Sequence, residues 1–503
     1  MTVSRSRLAR LFAVGTVVCT FAAAPACGHT ASPPLDTGTP RTTAPTTPSP
    51  APAVAEVTPT GDFSPVSRLI EDAVAARRLP GAVVQVGHEG KIVFRQAFGS
   101  RKLAGEPGLD GSPAPAEPMT EDTIFDLASL TKSLATSTAI MQLHEEGRVR
   151  IDEPVQAYLP DFNPADDPRR AQVTLRMLLT HTSGIAGDLS LDGPWGLDKA
   201  DKAEGVRRAL AAWVVFTPGE RFHYSDINFI ILGALLEKIT GEPEDVYIEH
   251  NVFGPLGMSD TYYLPATKAC GPHRIRGTAI ALDPRGPTVG SCPADAWSTD
   301  LLGRIAPTAL DEDTPGINPD YGHPLRGTVH DPTARRMGGV AGSAGVFTTV
   351  HDVGLYAQAL LDRLANRPST FPLRQASVQM MTTPQQPGHH AGQVQAANEA
   401  TETVFTTRDQ LLAAHYPAIP GHDLRGFGWD IDTAHSRPRG AVFPIGSFGH
   451  TGFTGVTLWM DPGSDTYVIV LANVIHQRGG PPIAELSGYV ATETARALHL
   501  YGT

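Results

Sequence analysis

The stretch that decides the fold contains the pattern Ser-x-x-Lys, and it reads Phe125-Asp126-Leu127-Ala128-Ser129-Leu130-Thr131-Lys132. An apolar run follows, with Leu134 and Met141 on or near one face, so the stretch predicts a helix with Ser129 at its N-terminus. One helical turn places the amine of Lys132 beside the serine hydroxyl. The free N–H groups of a helix N-terminus suit a serine that must carry an oxyanion. Alone, the pattern also fits a solvated pair on a helix, because about one match arises by chance in a chain of this length.

Lys132 is a residue that can exchange a proton. The chain has only seven lysines, and arginine, which cannot release its proton, is preferred wherever a permanent charge suffices. Desolvation in a cleft destabilises a lysine cation. We therefore expect the pKa of Lys132 to fall, so that its free amine takes the proton of Ser129.

A second segment supplies a tyrosine, and it reads Phe222-His223-Tyr224-Ser225-Asp226. It lies just before an apolar helix, which predicts Tyr224 at a loop-to-helix junction. As a phenolate stabilised by Lys132, Tyr224 could act as base for Ser129 and then as acid for the leaving group. The alternative is a buried aromatic ring with a locally satisfied hydroxyl.

A third segment opens a predicted strand, and it reads Gly449-His450-Thr451-Gly452-Phe453. Glycine on either side lets a substrate backbone approach closely. The strand edge could pair with a peptide-like substrate, and the N–H of Phe453 could complete an oxyanion hole with that of Ser129. The alternative is a Gly-rich start of a hairpin.

In this order, the three segments resemble the serine β-lactamase and penicillin-binding protein family, particularly its branch of class C β-lactamases, D-amino peptidases and esterases. The resemblance extends from about Val66 to Leu498. It implies Ser129 as nucleophile, Lys132 and Tyr224 as acid–base partners, and neither metal nor other cofactor. Further strings support it: Leu178-Leu179-Thr180-His181-Thr182-Ser183-Gly184-Ile185, Thr217-Pro218-Gly219-Glu220, Val329-His330-Asp331 and Gly338-Gly339-Val340-Ala341-Gly342.

Two departures from the family bear on the substrate. Asp226 stands where many relatives carry Asn, and its negative charge could disfavour an acidic substrate amide. His450 stands where β-lactamases usually carry the lysine that attracts the β-lactam carboxylate. We therefore predict a hydrolase for an ester or a peptide amide, of esterase or D-peptidase type. The substrate-binding residues would be Asp226, His450, Thr451, Gly452 and Phe453. The alternatives are a non-catalytic cell-wall-binding or penicillin-binding lipoprotein and a true class C-like β-lactamase.

Both chain ends predict one sheet. Strand pairs at Val83–Val86 with Ile92–Phe98 and at Val456–Met460 with Thr466–Leu471 are accompanied by a helix from Ser64 and one from about Ile483. These signals predict an α/β (α+β) fold, in which an antiparallel sheet flanked by helices is built from both ends. The middle carries helical patterns at Leu127–Glu146 and Ile227–Ile239 with few strand signals, which predicts an inserted, mostly helical subdomain. Residues 270–330 and 385–423 lack periodicity and are predicted to be insertions or long surface loops.

The N-terminus predicts export. Three arginines and the apolar run Leu11–Ala24 are typical of a signal peptide at residues 1–26, and Ala24-Pro25-Ala26 fits a cleavage site. Cys27 directly follows and could be lipidated. Residues 27–62 are a Pro/Thr/Ser-rich linker, and residues 63–503 form the hydrolase domain. Cys270 and Cys292 are close enough in sequence to form a disulfide in an oxidising compartment. We expect an extracytoplasmic protein, anchored to the membrane through Cys27 or otherwise secreted.

Several other functions are disfavoured by the sequence. A formal charge of −12 repels nucleic acid. Ala341-Gly342-Ser343-Ala344-Gly345 lacks the first glycine of the α/β-hydrolase nucleophile motif and is interpreted as a loop before a helix capped by Thr349. No histidine spacing typical of a metalloprotease occurs. The predicted partner is a small-molecule or peptide substrate, with cell-wall peptide among the candidates.

Overall fold

The strands form one large antiparallel sheet and three small ones, in a computed structural model that describes residues 57–58, 60–283, 291–402, 411, 414–476 and 483–503. The predicted signal peptide, Cys27 and most of the linker lie outside these residues. The strands are β1 (Gly81–His88), β2 (Lys91–Lys102), β3 (Glu117–Pro118), β4 (Phe125–Asp126), β5 (Tyr262–Tyr263), β6 (Ala269–Cys270), β7 (His273–Arg276), β8 (Ala279–Leu282), β9 (Trp297–Ser298), β10 (Val346–Thr348), β11 (Leu424–Arg425), β12 (Asp430–Asp432), β13 (Phe448–Gly452), β14 (Val456–Asp461) and β15 (Thr466–Ala472).

The large sheet joins the two ends of the described chain. Its order is β11-β12-β13-β14-β15-β1-β2-β3, and β1 pairs antiparallel with β2 on one side and β15 on the other. Val84 faces Gln96 and Val470 across these pairs. The sheet predicted from the two terminal strand pairs is therefore confirmed. The short strands β11 and β12 extend it at one edge, where no strand was predicted.

Helices surround the sheet and fill the middle of the chain. No helix formed by the described residues is both long enough and apolar enough to cross a membrane. The α-helices are α1 (Ser64–Ala75), α2 (Thr138–Glu145), α3 (Leu175–Leu179), α4 (Lys202–Ala211), α5 (Asp226–Thr240), α6 (Glu244–Ile248), α7 (Gly254–Leu256), α8 (Pro332–Arg336), α9 (Val350–Leu364), α10 (Gln375–Thr382), α11 (Gln393–Glu402) and α12 (Ile483–Ala497). Short 3-10 helices occur at Val155–Ala157, Pro160–Phe162, Arg170–Gln172, Ala266–Lys268, Thr299–Gly303, Arg437–Arg439, Val474–His476 and Leu500–Gly502.

Both faces of the central strands are covered, which explains why β1 is apolar along most of its length. Val84 and Val86 belong to a core that also contains Ile70 of α1 and Val490 of α12. Val83, which directly precedes Val84 in sequence, belongs to the opposite core, which contains residues of α5 and α9. The sheet therefore separates a smaller core under the terminal helices from a larger one shared with the inserted region.

The inserted region is less uniformly helical than predicted. A small sheet in the order β4-β10-β5 lies beside the start of the Ser129 helix. The interpretation of residues 270–330 as long loops is wrong for its described part, because β7 and β8 form a hairpin and β6 pairs parallel with β9. These strands have two to four residues, too few for periodicity to reveal them. The predicted disulfide between Cys270 and Cys292 is present in this region. Residues 385–423 contain α11.

The helix predicted at Leu127–Glu146 also differs in detail. It begins at Leu130, is a π-helix at Lys132–Ser137 and is α-helical again from Thr138. A second π-helix occurs at Glu249–Phe253. Such wide turns occur often at functional sites. Here the wide turn starts at Lys132, three residues after Ser129.

Candidate active site

Ser129 stands on a tight turn that the surrounding chain holds in place. The residue before it, Ala128, has a φ of 44°, in the region that favours glycine. The carboxylate of Asp126 accepts hydrogen bonds from the N–H groups of Ala128 at 2.9 Å and His330 at 2.7 Å. The N–H of Leu127 donates to the carbonyl of Val346 at 2.9 Å. These bonds stabilise the strained turn, and the turn presents the serine at the helix N-terminus, as predicted.

Lys132 is fully buried and contacts Ser129 directly. Its Nζ donates to Ser129 Oγ at 2.8 Å and to the carbonyl of Ser343 at 2.8 Å. It also forms an ion pair with Asp226 Oδ1 at 2.6 Å. Burial lowers the pKa of Lys132, but Asp226 and Tyr224 outweigh burial and raise the pKa above its usual value. The expectation of a lowered pKa is therefore wrong, because it considered burial without the carboxylate.

Tyr224 is the third side chain of the cluster that also contains Ser129 and Lys132. Its phenol interacts with both Ser129 and Lys132, and Lys132 Nζ lies 5.3 Å from the centre of its ring. Burial raises the pKa of Tyr224, and the lowering effect of Lys132 does not overcome it. The resting group is thus an ammonium and a phenol rather than the phenolate proposed from the sequence. The predicted convergence of the three side chains is present.

Carboxyl groups surround the lysine on one side. Asp188 is hydrogen-bonded to Asp226, and burial together with Asp226 raises the pKa of Asp188. Burial and, next, the charge of Asp226 raise the pKa of Asp331 to about 6. Asp226 was predicted as a substrate-binding residue, and the structure also makes it the counter-ion of Lys132. The charge of the lysine is therefore balanced within the protein.

The strand β13 forms the opposite side of the group. The ring of His450 lies 6.0 Å from that of Tyr224, and its Nδ1 bonds the carbonyl of Thr451 at 2.8 Å. Burial, followed by the charges of Arg425 and Lys132, lowers the pKa of His450 well below its usual value. His450 is thus a neutral imidazole, and it offers no charge to a substrate carboxylate.

The end of β13 packs on the serine turn. A Cβ on Gly452 would lie 2.4 Å from the carbonyl oxygen of Leu127, so this glycine permits a close approach of the protein's own backbone. Thr454 Oγ1 donates to the carbonyl of Asp126 at 2.7 Å. Phe453, between them, is 73% exposed and stacks on His330 with ring centres 5.9 Å apart. The end of this strand therefore packs on Asp126 and Leu127, the residues that lead into the serine turn.

Several residues of the site escaped the sequence argument. Asp188 belongs to no recognised pattern. Asp331 lies in Val329-His330-Asp331, a string that supported the family resemblance but assigned no role to this carboxyl group. Ser343 was examined only as a rival nucleophile, yet its carbonyl binds Lys132. His181 stacks on Tyr224 with ring centres 4.3 Å apart; it lies in a string that supported the family resemblance, which was the available signal. Within the described residues, no group of three or more His, Cys, Asp or Glu side chains could hold a metal ion.

The family model described as Beta-lactamase matches residues 66–485 of the chain. The chain belongs to the beta-lactamase family. Membership confirms the resemblance, the β-lactamase/transpeptidase-like fold class and the prediction of a serine hydrolase. A relative in Escherichia coli (strain K12), named "Putative D-alanyl-D-alanine carboxypeptidase", is 28% identical over 422 residues, which cover 81% of this chain and 80% of the relative.

Solved structures of other proteins have the same fold. Unliganded simvastatin synthase (LovD) from Aspergillus terreus, as its selenomethionyl derivative, superposes with a TM-score of 0.58 at 20% identity, covering 87% of this beta-lactamase-family chain and 98% of LovD. EstCE1, described as a hydrolase with promiscuous acyltransferase activity, gives a TM-score of 0.53 at 20% identity, covering 85% and 97% of the two chains. At these identities the likeness concerns the fold alone.

Proposed function

We propose that this protein hydrolyses an ester or a peptide-like amide through an acyl-enzyme formed on Ser129. One observation carries the proposal: the Ser129 hydroxyl accepts a hydrogen bond from Lys132 Nζ at 2.8 Å and interacts with the phenol of Tyr224. A serine is a weak nucleophile unless a neighbouring group can accept its proton. Here two proton-exchanging groups meet at its oxygen in a buried setting.

The reaction proceeds in two halves. The oxygen of Ser129 attacks the substrate carbonyl carbon while its proton passes to the Lys132–Tyr224 pair, and the pair then protonates the departing alcohol or amine. Water attacks the resulting acyl-serine and gives a proton to the pair. The pair then returns this proton to the Ser129 oxygen as the bond to the acyl carbon breaks and the acid is released. The N–H groups of Ser129 and Phe453 would bind the oxyanion. Because both Lys132 and Tyr224 are protonated at rest, the active form is the one in which the pair has lost one proton.

The charges around the group favour an uncharged acyl substrate. Asp226 balances Lys132 at 2.6 Å, His450 is neutral, and Asp188 and Asp331 add acidic groups. A substrate carboxylate beside the scissile bond would lie near these acidic groups, and β13, which carries the neutral His450, offers no cation to bind it. We therefore place esters first and D-peptides second, with β-lactams after them. The name of the Escherichia coli relative supports the peptide alternative.

Export through a lipid anchor is part of the proposal. The support is the sequence alone: an apolar run behind arginines, a cleavage site, and Cys27 as the first residue of the mature chain. Mass spectrometry of the mature protein should find an N-terminal Cys27 that carries acyl chains. An unmodified Cys27 would remove the anchor and leave a secreted enzyme.

A comparison of three substrate classes tests the function. Purified protein should hydrolyse p-nitrophenyl esters faster than D-Ala-D-Ala peptides, and those faster than nitrocefin, with all three activities lost in Ser129→Ala. Nitrocefin turnover above ester turnover would make the protein a true β-lactamase. Failure of the wild type to react with any substrate or with a fluorescent phosphonate would favour a binding module.

A further inference from the structure

His181 is a buried residue in a backbone conformation that few side chains adopt. It follows α3, is 0% exposed and has a φ of 56°. For a residue other than glycine this left-handed region costs free energy, and such strain persists only where surrounding contacts over-determine it. The contacts of His181 therefore indicate what its conformation serves.

Besides ring contacts with Phe222 and Phe229 at 6.2 Å and 5.2 Å, His181 contacts three consecutive residues around the tyrosine of the site. The carbonyl of His181 accepts a hydrogen bond from the N–H of His223 at 2.7 Å. Its ring lies against the ring of Tyr224, with centres 4.3 Å apart and an angle of 28° between the planes. Its Nδ1 accepts a hydrogen bond from the N–H of Ser225 at 3.1 Å. The backbone on both sides of Tyr224 and the ring itself are thus held by one residue.

The same bonds fix the protonation state of His181. Because Nδ1 accepts from an N–H group, it carries no proton, and the hydrogen of the neutral ring is on Nε2. Burial and the nearby cations Arg425 and Lys132 disfavour a charged ring. A neutral ring places no second positive charge beside Tyr224.

We propose that His181 is a positioning residue, which holds the phenol of Tyr224 at the distance from Ser129 that proton transfer requires. It does not touch the reacting atoms itself. The proposal rests on the proposed acyl-enzyme function of Ser129 and Tyr224. Transfer between hydrogen-bonded groups is sensitive to position, and a misplacement of 1 Å can lower a rate about a hundredfold.

Two substitutions separate the contacts of His181. In His181→Asn, the side-chain oxygen can take the place of Nδ1 and asparagine tolerates the left-handed conformation, but the ring is lost. In His181→Phe, the ring is kept and the acceptor for Ser225 is lost. We expect each to lower kcat/KM for a p-nitrophenyl ester by about tenfold to a hundredfold, through kcat rather than KM.

A double-mutant cycle with Tyr224→Phe distinguishes positioning from general structural damage. If His181 acts through Tyr224, its substitution should cost less than about threefold once the tyrosine hydroxyl is gone. The same loss in both backgrounds, or wild-type kcat in both His181 variants, would overturn the proposal. Thermal unfolding of each variant shows whether it is folded. If one of the two His181 variants does not fold, the other is used for the cycle.

The two hypotheses fail in different ways. Full activity of Tyr224→Phe or Ser129→Ala would remove the proposed function itself. Additive effects of His181 and Tyr224 substitutions, measured with Tyr224→Phe slowed but still active and Ser129→Ala inactive, would remove only the positioning role.

Discussion

The molecule buries two lysines completely, and their surroundings differ. Lys102, at the end of β2, donates only to backbone carbonyls, those of Leu103, Glu106, Ala114 and Pro115, at 2.7–3.4 Å. Lys132 donates to one carbonyl, a serine hydroxyl and a carboxylate, and it is also hydrogen-bonded to a tyrosine. Carbonyl oxygens accept hydrogen bonds but do not exchange protons under these conditions. Burial alone therefore does not make a lysine reactive; the groups that its ammonium contacts do.

Removal of the active-site lysine should have the largest effect. Lys132→Met is expected to lower kcat/KM for a p-nitrophenyl ester by about 10³-fold or more, because general acid–base catalysis contributes that much. Lys132→Arg keeps the charge and should be equally poor, because arginine does not release its proton. An active Lys132→Arg variant would show that only the charge matters, which would contradict the proposed proton transfer.

Removal of the structural lysine should affect stability instead. Lys102→Met removes the buried ammonium that four carbonyls share. Three of these carbonyls, those of Leu103, Glu106 and Ala114, also accept a backbone N–H, so we expect the free energy of unfolding to fall by about 1–3 kcal/mol. Denaturant titration measures this loss. The kcat/KM of the folded variant should stay within about twofold of wild type, and a large drop would erase the distinction between the two lysines.

The carboxylate beside Lys132 should set the pH at which the pair loses its proton. Asp226 raises the pKa of both Lys132 and Tyr224, so Asp226→Asn should lower both values. The alkaline rise of kcat/KM should then occur about 1–2 pH units lower than in wild type. A profile measured with a neutral ester, whose own charge does not change, tests this. A shift in the opposite direction would contradict the ion pair's role.

The neutral histidine of β13 should give the smallest effect. In His450→Lys, a cation would stand where the sequence comparison expects the carboxylate-attracting lysine, and the ratio of nitrocefin to ester turnover should rise about tenfold. His450→Gln introduces no charge and should leave the ratio near that of wild type. An equal rise in both variants would point to lost bulk rather than gained charge.

The sequence predicted those parts of the fold that have long, regular patterns. The hairpin of β1 and β2, the pair of β14 and β15, and the terminal helices each span several residues with clear periodicity. Strands of two to four residues between Ala269 and Ser298 carry too little pattern to be seen. The π-helix at Lys132 escaped because its residues are ordinary helix formers, and the wide turn arises from tertiary contacts, such as that of Ser133 Oγ with the Gly428 carbonyl at 2.6 Å.

The sequence predicted the catalytic residues of the site but not their pKa values. Local motifs identified Ser129, Lys132 and Tyr224 as candidate catalytic residues, and the family resemblance implied the role of each. The raised pKa of Lys132 depends on a carboxylate 94 positions away in the chain, whose distance no local pattern gives. Asp188 and Asp331 join the same cluster from two further segments, which only the folded chain brings together.

The central claim is that a covalent acyl-enzyme forms on Ser129, and its most direct measurement is peptide mapping by mass spectrometry after labelling with a fluorophosphonate. The account predicts one adduct, on the peptide that contains Ser129, with labelling abolished in Ser129→Ala and strongly slowed in Lys132→Met. Labelling at unchanged rate in Ser129→Ala, or an adduct on another serine such as Ser343, would contradict it.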